Sequence, residues 1–161
     1  MVITIPRTVV LSTDIFDEFM DSNNLYETAL QDLPDEEILR AFLDGVLPGW
    51  VTEDLNAFSE VLENPVAVRS SSKLEDSHYQ PFAGIYSTYM VPCDRDDRQH
   101  MVALLSMAIK SVYASVFYKG SKAYMTATSN VVDHEKMGII LYEDFGSRSQ
   151  MRLYVALSPP A

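Results

Sequence analysis

"NPVAVRSSSKLEDSHYQPFAGIYS", residues 64–87, decides how this chain is read. It brings an apolar β-branched run, one arginine, three serines and a Phe-Ala-Gly turn into one short arc. "VAVRS" has the composition of a strand, and Arg69 stands where that strand is expected to emerge into a serine-rich loop. A guanidinium at such a point has its base fixed and its tip free. Its paired N–H donors match the oxygens of a phosphate, and Ser70, Ser71 and Ser72 add hydroxyl and main-chain donors beside it. Residue types alone leave two readings open: a loop that holds a phosphate, and a solvated turn in which Arg69 pairs with Glu75 or Asp76. The solvated turn is the simpler of the two.

Before this stretch the chain is helical and acidic. "VITIPRTVVLS" alternates as a short strand, and "STDIFDEFMDSNN" then sets Ile15, Phe16, Phe19 and Met20 at helical spacing behind a Ser12/Thr13 cap. "LPDEEILRAFLDG" predicts a second helix. Pro34 suits its first turn, acids lie at the positive end of its dipole, and Gly45 stands ready to stop it. Its apolar face is Ile38, Leu39, Phe42 and Leu43. "VTEDLNAFSEVLEN" repeats the pattern with Leu55, Phe58, Val61 and Leu62, and Asn64-Pro65 closes it. After the opening stretch, "GIYSTYMVP" reads as a strand and "DRQHMVALLSMAIKSVYASVF" as a long core helix with a broad apolar face. "SKAYMTATS", "KMGIILYEDF" and "MRLYVALS" read as strands, with a turn at Gly146 between the last two. Helices come first and strands later, so the fold class is α+β, with a mainly antiparallel sheet and one long helix.

The charge of the chain follows the same division. Residues 1–63 hold 14 acidic and 2 basic side chains, a balance of −12, whereas residues 64–161 hold 9 and 10, a balance of +1. Such an acidic chain is ill suited to a nucleic acid, whose phosphate backbone calls for clustered Lys and Arg. A small anion gripped by a local arginine is not excluded, because that depends on the pocket and not on the total. With 161 residues, 47% of them hydrophobic, the chain supports one ordinary core. No apolar run approaches the roughly 20 residues that cross a bilayer. The start, "MVITIPRTVV", lacks the features of a secretory signal, and the cytoplasm is the expected compartment.

Other chemistry is thinly supported. Cys93 is the single cysteine, so it has no internal disulfide partner and is read as a packed or loop thiol. His78, His100 and His134 lack the spacing of a helical metal pair. Glu75 and Asp76 could hold Mg²⁺ but are more simply read as solvated acids. Ser71, His78 and Asp76 make a triad only on paper, without a Gly-x-Ser-x-Gly elbow. Neither a Gly-x-x-x-x-Gly-Lys-Ser/Thr loop nor a Gly-x-Gly-x-x-Gly fingerprint occurs, so a nucleotide site would have to be of another type.

Three blocks, in order, resemble one family. "VAVRSSSKLEDSHYQPFAGIYSTYMVP" is similar to the Val-Arg-Ser-Ser … Glu-Asp … Phe-Ala-Gly segment of the N-terminal nucleotide-binding domain of phosphoenolpyruvate synthase and pyruvate phosphate dikinase. "AIKSVYASVFYKGSKAYM" resembles the helix that follows it there, and "EKMGIILYEDF" resembles a later Met-Ala-Val-x-x-Gln-Glu strand. "IPRTVVLSTDIFDEFM" fits the family's Val-Pro-x-Gly-Phe opening loosely. The resemblance covers most of residues 5–146.

It implies an ATP-grasp-like fold, with ATP and Mg²⁺ lying between α+β subdomains and a phosphoryl group passed to a histidine on a separate swivelling domain. On this reading residues 1–161 are a single incomplete ATP-grasp-like domain, acidic and helical over 1–64 and strand-rich over 65–161. Arg69 would contact the ATP phosphates, Ser70, Ser71 and the Phe82-Ala83-Gly84 turn would shape the loop around it, and Glu143 would lie on a strand lining the adenine pocket. Departures accompany the match. The family's Gly-Gly-Lys segment would precede Met1, Tyr142 replaces the usual glutamine, and the later acidic Mg²⁺ ligands and the phosphohistidine and pyruvate-binding domains are expected beyond Ala161. The chain is therefore expected to be the ATP-binding portion of a longer phosphotransferase, inactive alone, with apolar surface that could support a homodimer. The alternative is a non-catalytic nucleotide-binding or interaction module that kept the fold.

Overall fold

In a computed structural model, residues 5–72, 86–127 and 136–145 are described. They form, in chain order, β1 (Thr8–Leu11), α1 (Thr13–Ser22), α2 (Leu25–Leu30), α3 (Asp35–Asp44), α4 (Gly49–Val61), β2 (Val66–Ser72), β3 (Thr88–Val91), α5 (Arg98–Ser115), α6 (Lys119–Ala127) and β4 (Met137–Glu143). The strands make one antiparallel sheet in the order β1-β4-β2-β3. The α+β class and the antiparallel sheet expected from the sequence are both present.

The helices form where apolar side chains recur every three or four residues. Ile15, Phe16, Phe19 and Met20 of α1 are buried, as are Ile38 and Phe42 of α3 and Val51, Leu55 and Phe58 of α4. The long helix α5 is central. Met101, Leu105, Ala108, Ile109, Val112 and Tyr113 are all fully buried, and the Asp97 side chain accepts the His100 N–H at 2.9 Å to cap the helix start. Contrary to the sequence expectation that no apolar run approaches a membrane-crossing length, the helical stretch Arg98–Ala127 contains an 18-residue window apolar enough to cross a membrane, but 67% of that window is buried inside the protein, as befits a core helix. Phe16, Phe19, Phe42, Tyr113 and Phe117 meet with ring centroids 5.1 to 6.3 Å apart, joining α1, α3 and α5. Gly45 ends α3 against Phe19; a Cβ there would come within 3.0 Å of that ring. Lys110 Nζ donates to the carbonyls of Leu43 and Gly45 at 2.6 and 3.1 Å, closing the same helix end from α5. Burial lowers the pKa of Lys110, with Asp44 opposing the shift.

Several sequence expectations are corrected. Ser70, Ser71 and Ser72 are not in a loop: β2 continues through Ser72, because Ser70, Ser71 and Ser72 pair with Ile139, Gly138 and Met137 of β4. Ladder pairing outweighs the weak strand preference of serine. "SKAYMTATS" is not a strand over its described part, which lies in α6. Ser121 and Met125, four apart, share the buried face, and the Ser121 hydroxyl donates to the Ser115 carbonyl at 2.6 Å. Helix α2 goes unread in the sequence. It begins after Asn24, which adopts a left-handed φ of 53° and separates it from α1. Glu75, Asp76, His78, the Phe82-Ala83-Gly84 turn, His134, the turn at Gly146 and the "MRLYVALS" strand lie outside the described residues.

The Tyr113 hydroxyl is buried with no hydrogen-bond partner among the described residues. Burial pushes the phenols of Tyr26, Tyr113 and Tyr118 above their ordinary value of 10.0, Tyr26 to about 12. A phenol that stays neutral when folded but ionises when unfolded contributes stability that is complete below pH 10 and is lost as the pH rises beyond it. The midpoint of thermal unfolding is therefore expected to fall between about pH 10 and 12. Tyr113→Phe should soften that fall, and at neutral pH it should leave stability unchanged or raise it by up to about 1 kcal/mol, since an unsatisfied buried group is removed. Thermal and urea unfolding of the two proteins across pH check these expectations.

Candidate functional site

The period of two along a strand divides the sheet into two unlike faces. Leu11, Val66, Val68, Val91, Ile139 and Leu141 belong to the buried core against the helices. The other face carries Thr8 and Val10 of β1, Gly138, Ile140 and Tyr142 of β4, Ala67, Arg69 and Ser71 of β2, and Thr88 and Met90 of β3. Val10 is 64% exposed, and Ile140, Tyr142 and Met90 are half-buried and take no part in the core. No described helix covers this face.

Two cross-strand rows organise it. Thr8, Tyr142, Ala67 and Met90 face one another across the four strands, and Val10, Ile140, Arg69 and Thr88 form the next row. At Gly138 the strands come close: a Cβ would lie 3.1 Å from the Ser71 carbonyl oxygen. Arg69 is the sole charged side chain among these residues. It is exposed and has no hydrogen bond or ion pair to any described residue. A guanidinium standing on a partly apolar surface, with no partner for its donors among the described residues, is suited to a bidentate anion.

The structure brings only part of the expected site together. Ser71 shares the open face with Arg69, two residues along the same strand, whereas Ser70 is turned to the helical side. Glu143 also lies on the helical side, 2% exposed. Its Oε1 accepts the main-chain N–H groups of Glu63 and Asn64 at 2.8 and 3.2 Å, and its Oε2 is 3.5 Å from Arg7 Nη1. Arg7 also donates to the Val61 carbonyl, and the Glu143 N–H donates to the Arg7 carbonyl at 3.0 Å. The carboxylate thus fastens the end of α4 and the start of β2 to β4. Tyr142 was visible in the sequence only as a departure from a family pattern. The run "MGIILYE" is too uniformly apolar to show that Tyr142 and Arg69 share a face; pairing with Ala67 shows it.

An open depression along α3 is lined by Glu36, Glu37, Arg40 and Asp44 among others. Its three carboxylates to one guanidinium make it a poor place for an anion. Among the described residues no three His, Cys, Asp or Glu side chains converge as a metal site.

A family model described as the pyruvate phosphate dikinase AMP/ATP-binding domain matches residues 1–148. An uncharacterized phosphotransferase of Bacillus subtilis (strain 168), YvkC, is 27% identical over 140 residues, covering 85% of this chain. The chain spans 15% of the length of that relative.

The Glu143 contacts define a stability test. Glu143→Ala leaves two part-buried main-chain donors without their acceptor and should cost about 1–3 kcal/mol. Arg7→Ala, at a side chain 47% exposed, should cost no more than about 1 kcal/mol. Urea unfolding of both variants measures the difference; equal, small losses would show that the carboxylate does not fasten these segments.

Proposed function

The chain belongs to the pyruvate phosphate dikinase AMP/ATP-binding domain family, and we propose that the open face of its sheet binds ATP as one wall of the nucleotide site of a longer phosphotransferase. The observation that carries this reading is Arg69: exposed, unpaired among the described residues, and the one charge on a sheet face that no described helix covers. Its position on the inner strand β2, held between β3 and β4, fixes its base. The guanidinium would take phosphate oxygens through paired N–H groups, and Ser71 on the same face would add a hydroxyl.

Phosphoryl transfer asks a protein mainly for positioning and for positive charge where phosphate charge develops. Arg69 is suited to both tasks, while the described residues supply no carboxylate on the open face to act as a base or to ligate Mg²⁺. Magnesium would therefore arrive with the nucleotide or find its ligands elsewhere, and its chemistry when bound would be to neutralise phosphate charge. The phosphoryl acceptor and a swivelling histidine domain would belong to the longer protein, of the kind to which the Bacillus subtilis phosphotransferase is related in sequence. Residues 1–161 alone would bind nucleotide without turning it over. An ATP-grasp-like arrangement follows from this reading, with a second subdomain closing over the face that carries Arg69.

Calorimetric titration of Mg-ATP tests the proposal. Wild type should bind, Arg69→Ala should weaken binding at least about tenfold, the worth of roughly one charged hydrogen bond, and Arg69→Lys should restore only part of it because the paired donors are lost. Arg40→Ala, in the α3 depression, should leave binding unchanged. Equal affinity in wild type and Arg69→Ala would overturn the assignment.

A further inference from the structure

We propose that the turn between α3 and α4, with the first turns of α4, is a docking surface for a cationic amphipathic helix of a separate protein, anchored on Val46 and Trp50. Single exposed apolar residues are ordinary on a protein surface. Val46 and Trp50, however, are 73% and 48% exposed and stand four residues apart on a turn that is tied down on both sides. The Asn23 side chain takes both main-chain groups of Val46: the Val46 N–H donates to Asn23 Oδ1 at 2.8 Å, and Asn23 Nδ2 donates to the Val46 carbonyl at 3.0 Å. Lys110 Nζ holds the carbonyls of Leu43 and Gly45 just before it, and Leu47 just after it is buried in the core. The Pro48 carbonyl then accepts the Val51 and Thr52 N–H groups at 3.0 and 3.3 Å as α4 begins. Apolar side chains carried on a backbone so fixed lose little freedom when a partner covers them. Tryptophan is also among the residue types that most often anchor such contacts.

The charges around the anchors select the partner. Along α4 the surface neighbours of Trp50 are Glu53 and Asp54, three and four residues on and both exposed. Before the turn, Asp44 ends α3 and lines the open depression with Glu36, Glu37 and Arg40. Five of these six charged side chains are carboxylates. A second copy of the chain is a poor occupant, because each copy carries a net charge of −11 and like charges oppose association. A partner that brings Lys or Arg on either side of an apolar stripe answers both features, and an amphipathic helix has that form. By chain length Val46 and Trp50 are at most about 14 Å apart, within reach of apolar side chains one to two turns apart on such a helix.

Position favours a separate protein as the source. Trp50 stands at the start of α4, whereas the end of β4 is fastened at the other end of that helix, where Glu143 accepts the N–H groups of Glu63 and Asn64. The surface is thus turned away from the point where β4 hands on to the following chain. It also belongs to the helical layer, so it stands or falls independently of the nucleotide reading of the open sheet face.

Trp50 is the single tryptophan of the chain, so its emission reports on this surface directly. The probe is a helical peptide of leucine and lysine at amphipathic spacing, compared with the same peptide carrying glutamate in place of lysine. The lysine peptide should move Trp50 emission to shorter wavelength and saturate, and the glutamate peptide should not. By anisotropy of the labelled lysine peptide, Val46→Ser should weaken binding about 3- to 10-fold, and Glu53→Lys with Asp54→Lys at least about tenfold. Glu18→Lys with Glu27→Lys makes the same change in net charge on α1 and α2 and should weaken binding less than about twofold. All of these side chains are exposed, so the fold tolerates the substitutions. Equal weakening by the two charge reversals would overturn the proposal, by showing attraction to the acidic protein as a whole. Unchanged Trp50 emission, or full affinity in Val46→Ser, would overturn it too. A dimer in sedimentation that Val46→Ser dissolves would assign the surface to a second copy and overturn it likewise.

Discussion

The seven-residue antiparallel ladder between β2 and β4 is the constraint on which the rest depends. It joins Val66–Ser72 to Met137–Glu143 with every residue of each strand paired, across a long sequence separation whose closure costs entropy before any contact repays it. Once it forms, everything about the site is set by register. Arg69 falls opposite Ile140, Tyr142 falls opposite Ala67, and β1 and β3 add on the two outer sides. A slip by one residue would move Arg69 into the core and Val68 into solvent. Two devices hold the register at its ends: the bare Cα of Gly138, which admits the Ser71 carbonyl, and the Glu143 carboxylate, which ties down the chain leaving α4.

The separation of charge complements the separation of faces. The acidic helices account for the net charge of −11, and their carboxylates lie in a layer on one side of the sheet. The open face on the other side carries a single described charge, and that charge is positive. Exposed charges more than about 8–10 Å apart are largely screened at physiological salt. The local guanidinium can therefore dominate what this face attracts, despite the overall sign. An acidic protein with an anion site is no contradiction when sheet and helices divide the work.

Much of the fold was legible because it is local. The 3.6-residue pattern in α1, α3, α4 and α5 could be read directly, since burial on one face is all that it requires. Local patterns also misled. In "SKAYMTATS" a short mix of β-branched and small residues reads as a strand, whereas burial of Ser121 and Met125 on one face and the Ser121 hydroxyl's bond to the Ser115 carbonyl at the end of α5 go with the helix α6. Ser70–Ser72 looked like a loop for the same reason in reverse, as serine is a weak strand former until a partner strand is present. Arg69 stood out as an arginine at the end of an apolar run. Which residues share its face could not be read, because β4 supplies them from about seventy residues away in a run with apolar residues on both faces.

The two isoleucines of β4 provide the most direct measurement of the central claim, that ligand meets the open face of the sheet. Ile139 and Ile140 are adjacent in sequence, one buried in the core and the other on the face with Arg69. In a methyl-resolved NMR titration with Mg-ATP, the account predicts that the Ile140 and Ala67 methyl signals move with saturation while those of Ile139 and Val68 stay in place. Movement confined to the helical layer, or equal movement of Ile139 and Ile140, would contradict it.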